Sequence, residues 1–88
     1  MRARQLLEVM TLGGMRTLSD LRPGERGVVC GLGPAGDVRR RLQDIGLIRG
    51  TTVVCVGKSP LGDPTAYRIR GAVMALRRKD AGRVEVEG

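Results

Sequence analysis

The chain has 88 residues, with fourteen glycines, four prolines, no histidine and one aromatic residue, Tyr67. A single domain of this length buries only about 60% of its unfolded surface, and here its core must come from Leu, Val, Ile and Met. Sixteen Lys and Arg against nine Asp and Glu give a formal charge of +7, which favours nucleic acid, an anionic membrane face or an acidic protein surface.

So much glycine and proline predicts short strands and many turns rather than a helix bundle. Residues 1–14 read as an N-terminal extension, expected to be mobile, with a short helix from Arg2 to Leu12 that Gly13-Gly14 would end. The compact domain, residues 15–88, is expected to start near Met15. No apolar run reaches membrane-spanning length and no cleavage site follows the apolar cluster at residues 6–10, so the chain is expected in the cytoplasm.

Thr17 to Leu21 predicts a turn or one helical turn with Leu18 and Leu21 pointing inward, and Pro23-Gly24 suits a tight turn. Arg26 to Leu32 predicts the first strand, with Val28, Cys30 and Leu32 on one face. Asp37 to Ile45 is the clear helix: Asp37 is its expected cap, and Val38, Leu42 and Ile45 share a face. Gly46 fits a left-handed C-terminal cap. Thr51 to Gly57 predicts a second strand, apolar on both faces at Val53, Val54 and Val56 and hence the most buried. Ala66 to Arg70 and Ala72 to Arg77 predict two more, with Met74 and Leu76 inward. Arg78 to Arg83 reads as a polar turn, or one turn of helix, before a last strand from Val84 to Glu87.

Between the second and third strands lies Lys58-Ser-Pro-Leu-Gly-Asp-Pro64. Pro60 and Pro64 remove two backbone donors and fix φ, and Gly62 admits a positive φ. Turn chemistry alone accounts for these residue types. The same residues also make a stiff loop with apolar Leu61 at its tip, a shape suited to docking.

Five short strands and one helix predict an all-β fold, a small five-stranded SH3-like barrel, since small sheets avoid exposed edges by curling. An OB-type barrel is the alternative, although its helix normally comes later in the chain.

The pattern Leu18-Ser-Asp-Leu21, Gly24, Arg40-Arg-Leu-Gln-Asp-Ile-Gly-Leu47, Gly50, Ser59-Pro-Leu-Gly-Asp-Pro64, Gly71 and Met74-Ala-Leu-Arg77, ending in a Val-x-Val strand, resembles the FeoA family. The resemblance spans residues 17–87 and implies an SH3-like barrel acting as a cytoplasmic accessory of bacterial ferrous iron transport. Its implied partner is the membrane transporter FeoB, which carries a cytoplasmic GTP-binding domain. Similar domains occur at the C-terminus of metal-dependent repressors of the diphtheria-toxin-repressor type. The N-terminal extension departs from the family pattern.

Other chemistries are poorly served. No histidine is present for acid–base work, so no enzyme is expected. Gly31-Leu-Gly-Pro-Ala-Gly36 has dinucleotide-loop spacing, but Pro34 interrupts it and the following helix is short, so no cofactor is expected. The cysteines, Cys30 and Cys55, lie in apolar runs and read as buried hydrophobes; no metal site is expected. One tyrosine provides neither the stacking platform of a single-strand binder nor the aromatic groove of a peptide-binding SH3 module. A basic nucleic-acid-binding barrel remains the alternative to a protein-docking module. The expected partner-binding residues are Pro60, Leu61, Gly62 and Asp63 in the loop, Leu47 at the helix end, and Arg39 and Arg40 as steering charges. The basic surface also suits peripheral contact with an anionic membrane.

Overall fold

The computed structural model describes residues 16–88. The expectations for residues 1–14 lie outside that range. In chain order the elements are β1 (Arg16–Thr17), a 3₁₀ turn (Leu18–Asp20), β2 (Arg26–Gly31), α1 (Asp37–Asp44), β3 (Thr52–Lys58), β4 (Thr65–Ile69), β5 (Ala72–Leu76), α2 (Arg78–Ala81) and β6 (Glu85–Glu87). All pairings are antiparallel, in the order β1-β6-β2-β3-β4-β5.

There are six strands rather than five. The extra one, β1, pairs Arg16 with Val86 and Thr17 with Glu85; two residues are too few to show alternation. The sheet curls on itself. Tyr67 Oη, on β4, donates a 3.0 Å hydrogen bond to the carbonyl of Leu18, which follows β1 at the far end of the strand order. Register shifts between Val29 and Gly31 on β2, and between Cys55 and Gly57 on β3, mark bulges of the kind that increase local twist.

The core draws on both ends of the chain: Leu18, Leu21, Val29, Leu42, Val53, Tyr67, Ile69, Val84 and Val86 are all buried. The bulge explains why β2 departs from simple alternation. Val29 and Leu32, three residues apart, are both buried, while Val28 and Cys30 are half-buried. On β3 only one face is covered. Val53 and Cys55 are buried, Val54 is half-buried and Val56 is exposed, so valine on both faces does not make this strand buried on both.

The helix α1 buries Leu42, with Val38 and Ile45 packed beside it. Its N-cap is Gly36, not Asp37, and no side chain caps it. Asp37 instead occupies the first turn, where a carboxylate suits the positive end of the helix dipole. At the other end Gly46 N–H bonds the Gln43 carbonyl and Leu47 N–H bonds the Leu42 carbonyl, both at 3.0 Å. That pair of bonds is a Schellman motif. Gly46 takes φ +105°, which calls for glycine; the 2.7 Å approach that a Cβ would make is only to the flexible side chain of exposed Arg70. The polar stretch after β5 holds the one-turn helix α2, which buries Ala81 and packs against the 3₁₀ turn.

Candidate docking surface

The loop between β3 and β4 is held from three directions. Gly62 N–H donates to the Ser59 carbonyl at 2.8 Å, closing a turn with Pro60 second and Gly62 fourth. These are favoured positions for both residues in a type I turn. Ser59 N–H donates to the Pro64 carbonyl at 3.1 Å, closing the base of the loop. The Asp63–Pro64 peptide is cis. Asp63 Oδ1 accepts from Arg78 N–H at 2.8 Å, tying the loop to the first turn of α2. Gly62 takes φ +86° with open space where a Cβ would stand, so its conformation, not crowding, calls for glycine.

Leu61 lies at the tip of this pinned loop with 93% of its surface exposed. Beside it runs an open groove of about 360 Å³ lined by Val56, Gly57, Lys58, Ser59, Pro64, Ala66 and Ala75. Ser59 Oγ is buried there and has no hydrogen-bond partner among the described residues. On the other side of the loop, Asp63, Arg77, Arg78 and Lys79 line a cleft of about 590 Å³. Within it the Asp63 carboxylate is engaged by Arg78 N–H, and three cationic side chains are exposed.

The inner side of the same strands is buried. Tyr67 pairs with Cys55 across β4 and β3, and both are buried. Burial pushes the Tyr67 phenol up to about 12 and raises the Cys55 thiol, so both stay protonated at neutral pH. Burial also raises the Cys30 thiol, with Glu87 and Glu85 adding to the effect. Among the described residues no group of three or more Cys, Asp and Glu could hold a metal ion. No helix among them is long and apolar enough to cross a membrane.

The residues expected to bind a partner fall into three places. Pro60, Leu61, Gly62 and Asp63 form one contiguous loop, in which the Asp63 carboxylate is committed to α2. Arg39 and Arg40 are exposed on α1 and line a different, shallow cleft with Ala35, Gly36 and Gln43. Leu47 is fully buried, which corrects its assignment to the docking surface. It is the residue after the Gly46 cap, and in a Schellman motif that position packs back on the helix. Its neighbour Ile48 is the exposed apolar residue at this end, 43% accessible. The sequence reading missed the groove beside the loop. Its signal was available: Val56, Ala66 and Ala75 each lie one residue from an inward-facing neighbour, so all three point outward.

The FeoA domain family model matches residues 16–88. A Porphyromonas gingivalis protein described as a Fe(2+) transport protein A/Fe(2+) transporter FeoB fusion is 39% identical over 70 residues. The match takes in 80% of this chain and 8% of the fusion protein, so the chain spans a small part of that relative's length. The solution structure of a FeoA-like protein from Clostridium acetobutylicum is 37% identical, with a TM-score of 0.78 over 83% of this chain and 85% of that one. A zinc complex of FeoA from Stenotrophomonas maltophilia, described as a prokaryotic SH3-domain protein, is 32% identical, with a TM-score of 0.73 over 82% of this chain and 89% of that one. The curled antiparallel sheet is thus of the SH3-like class, and the chain belongs to the FeoA domain family.

Proposed function

We propose that this chain is an accessory of ferrous iron uptake that docks on the cytoplasmic part of a FeoB-type transporter and tunes its assembly or turnover. The observation that carries the reading is Leu61, an apolar side chain 93% exposed on a loop pinned by backbone bonds and by Asp63. A loop already ordered loses little entropy on binding, so a small apolar contact yields usable affinity. Burying a leucine of this size contributes about 1.5–3 kcal/mol. The fusion relative supports the choice of partner, because its name joins a Fe(2+) transport protein A to a FeoB transporter in one polypeptide. The Stenotrophomonas maltophilia relative is described in terms of ferrous iron transport activation, which agrees with a tuning role.

The cationic surface, +7 over the whole chain, would speed encounter with an acidic partner or draw the protein to an anionic membrane face. In this reading Pro60, Leu61 and Gly62 make the contact, and Arg39 and Arg40 act on the encounter rate. The test is ferrous iron uptake in cells carrying the transporter with and without this chain, combined with co-purification from detergent-solubilised membranes. The reading expects slower uptake without the chain and its recovery with the transporter. Equal uptake together with no recovery would remove the function.

A further inference from the structure

We propose that the outer edge of β5 is a second docking site that takes an extended, acid-flanked segment of another protein by strand addition. In the strand order β5 is terminal, and Ala72–Leu76 pair only with Ile69–Thr65 of β4 among the described residues. Its sequence, Ala-Val-Met-Ala-Leu, contains no charge, proline or bulge. Those are the devices that normally keep an edge strand from recruiting another strand. Such an edge offers a ladder of backbone donors and acceptors, and strand addition takes its affinity from that ladder.

The outward side chains complete a recognition surface. Val73 is 55% exposed and Ala75 is exposed, while Leu76 points into the core. Across the sheet Val73 pairs with Arg68, and Ala75 with Ala66. Ala75 and Ala66 both line the groove that also holds Val56 and Pro64. An added strand would therefore set alternate side chains beside an apolar row.

Charge decides the occupant. The strand is bracketed by Arg70 on one side and by Arg77, Arg78 and Lys79 on the other, all exposed. Arg77, Arg78 and Lys79 line the cleft against which only Asp63 contributes an acid, and that carboxylate already accepts the Arg78 N–H. A second copy paired antiparallel about Met74 would set Arg70 of each chain opposite Arg78 of the other, between molecules that each carry +7. Like charges directly opposite destabilise a strand pair, so self-pairing is disfavoured. A segment with carboxylates at both ends and an apolar centre matches the edge and its flanks. This site borders the Leu61 loop through Pro64 and Asp63 but does not include Leu61, so a substitution of Leu61 separates the two surfaces.

The test uses the full chain and a labelled synthetic peptide of about nine residues: alternating valine and threonine with two glutamates at each end. Two control peptides carry lysines in place of the glutamates or a central proline. Anisotropy should show the acidic peptide binding at least about ten-fold more tightly than either control. Val73→Asp and Ala75→Glu, both at exposed positions, should each weaken binding about ten-fold by placing an acid against the peptide. Leu61→Glu should leave it unchanged. Amide exchange at alternate residues of Ala72–Leu76 should slow on binding. Equal affinity for the glutamate- and lysine-ended peptides would overturn the proposal. Protection of every amide of 72–76 in the free chain would also overturn it, since the edge would then be occupied already. So would a dimer in sedimentation that Val73→Asp dissociates.

Discussion

Tyr67→Phe tests the closure of the sheet with one atom. The Tyr67 hydroxyl donates to the Leu18 carbonyl at 3.0 Å, and both residues are buried. The same carbonyl accepts the Leu21 N–H at 3.1 Å, so removing the hydroxyl does not leave it without a partner. The cost should therefore be that of a net hydrogen bond, about 1 kcal/mol, and not the larger penalty of an orphaned acceptor. In a domain of this size that lowers the melting temperature by about 4–8 °C at neutral pH. Alkali adds a second readout. Burial moves the phenol from its ordinary 10.0 up to about 12. Between those values the unfolded chain has released the proton and the folded chain has kept it, so stability falls as pH rises. It is fully present below pH 10.0 and lost progressively towards about 12. A difference of this size corresponds to roughly 3 kcal/mol. Tyr67 is the only aromatic residue, so the phenolate absorbance band reports it alone. Denaturation by urea at pH 8, 10 and 12 should show the wild type losing stability over this range beyond any loss shared with Tyr67→Phe. Any other group that loses a proton there is common to both proteins. Phenolate forming near pH 10 in the folded wild type would show that burial does not hold the proton on Tyr67. So would identical alkaline slopes for the two proteins.

Leu42→Ala should cost about 2–5 kcal/mol in urea denaturation, since Leu42 is the buried anchor of α1; a loss below about 1 kcal/mol would mean that the helix face does not support the core. Val53→Asp should abolish the folded circular dichroism signal, because it buries an unpaired charge, whereas Val54→Asp on the half-buried face should leave a folded protein. Asp63→Ala removes the carboxylate that accepts the Arg78 N–H and should cost about 1 kcal/mol by thermal melting, with Leu61 remaining exposed.

Most of the fold was legible where residues of clear periodicity met turn residues with one conformational use. Leu18 and Leu21, the Val38–Leu42–Ile45 face, Gly46 and the Tyr67–Ile69 alternation all mark their elements, and the structure places each in that role. The misreadings share a cause. Val54 and Val56 are as apolar as Val53, and only the position of the neighbouring strands determines which face is covered. The bulge near Cys30 shifts the buried position from one parity to the other, and no local residue signals it. Leu47 looks like a surface continuation of the helix until the Schellman bonds fold it back beneath Gly46. At the candidate site, two prolines and a glycine announced the stiff loop around Leu61. Asp63 reaches across fifteen positions to Arg78, and a contact of that range has no local pattern to betray it.

The proposed contact of Leu61 with a FeoB-type transporter is tested by the affinity of the wild type and Leu61→Glu for the immobilised cytoplasmic part of such a transporter, measured at two salt concentrations. The exposed position means that Leu61→Glu should keep the wild-type circular dichroism and melting temperature. Losing the leucine's burial against the partner and placing a charge there should raise Kd by at least about ten-fold. Charge reversals at Arg39 and Arg40 should act differently, lowering the association rate with little effect on dissociation, as added salt does for the wild type. Equal affinity of Leu61→Glu and wild type would remove Leu61 from the interface.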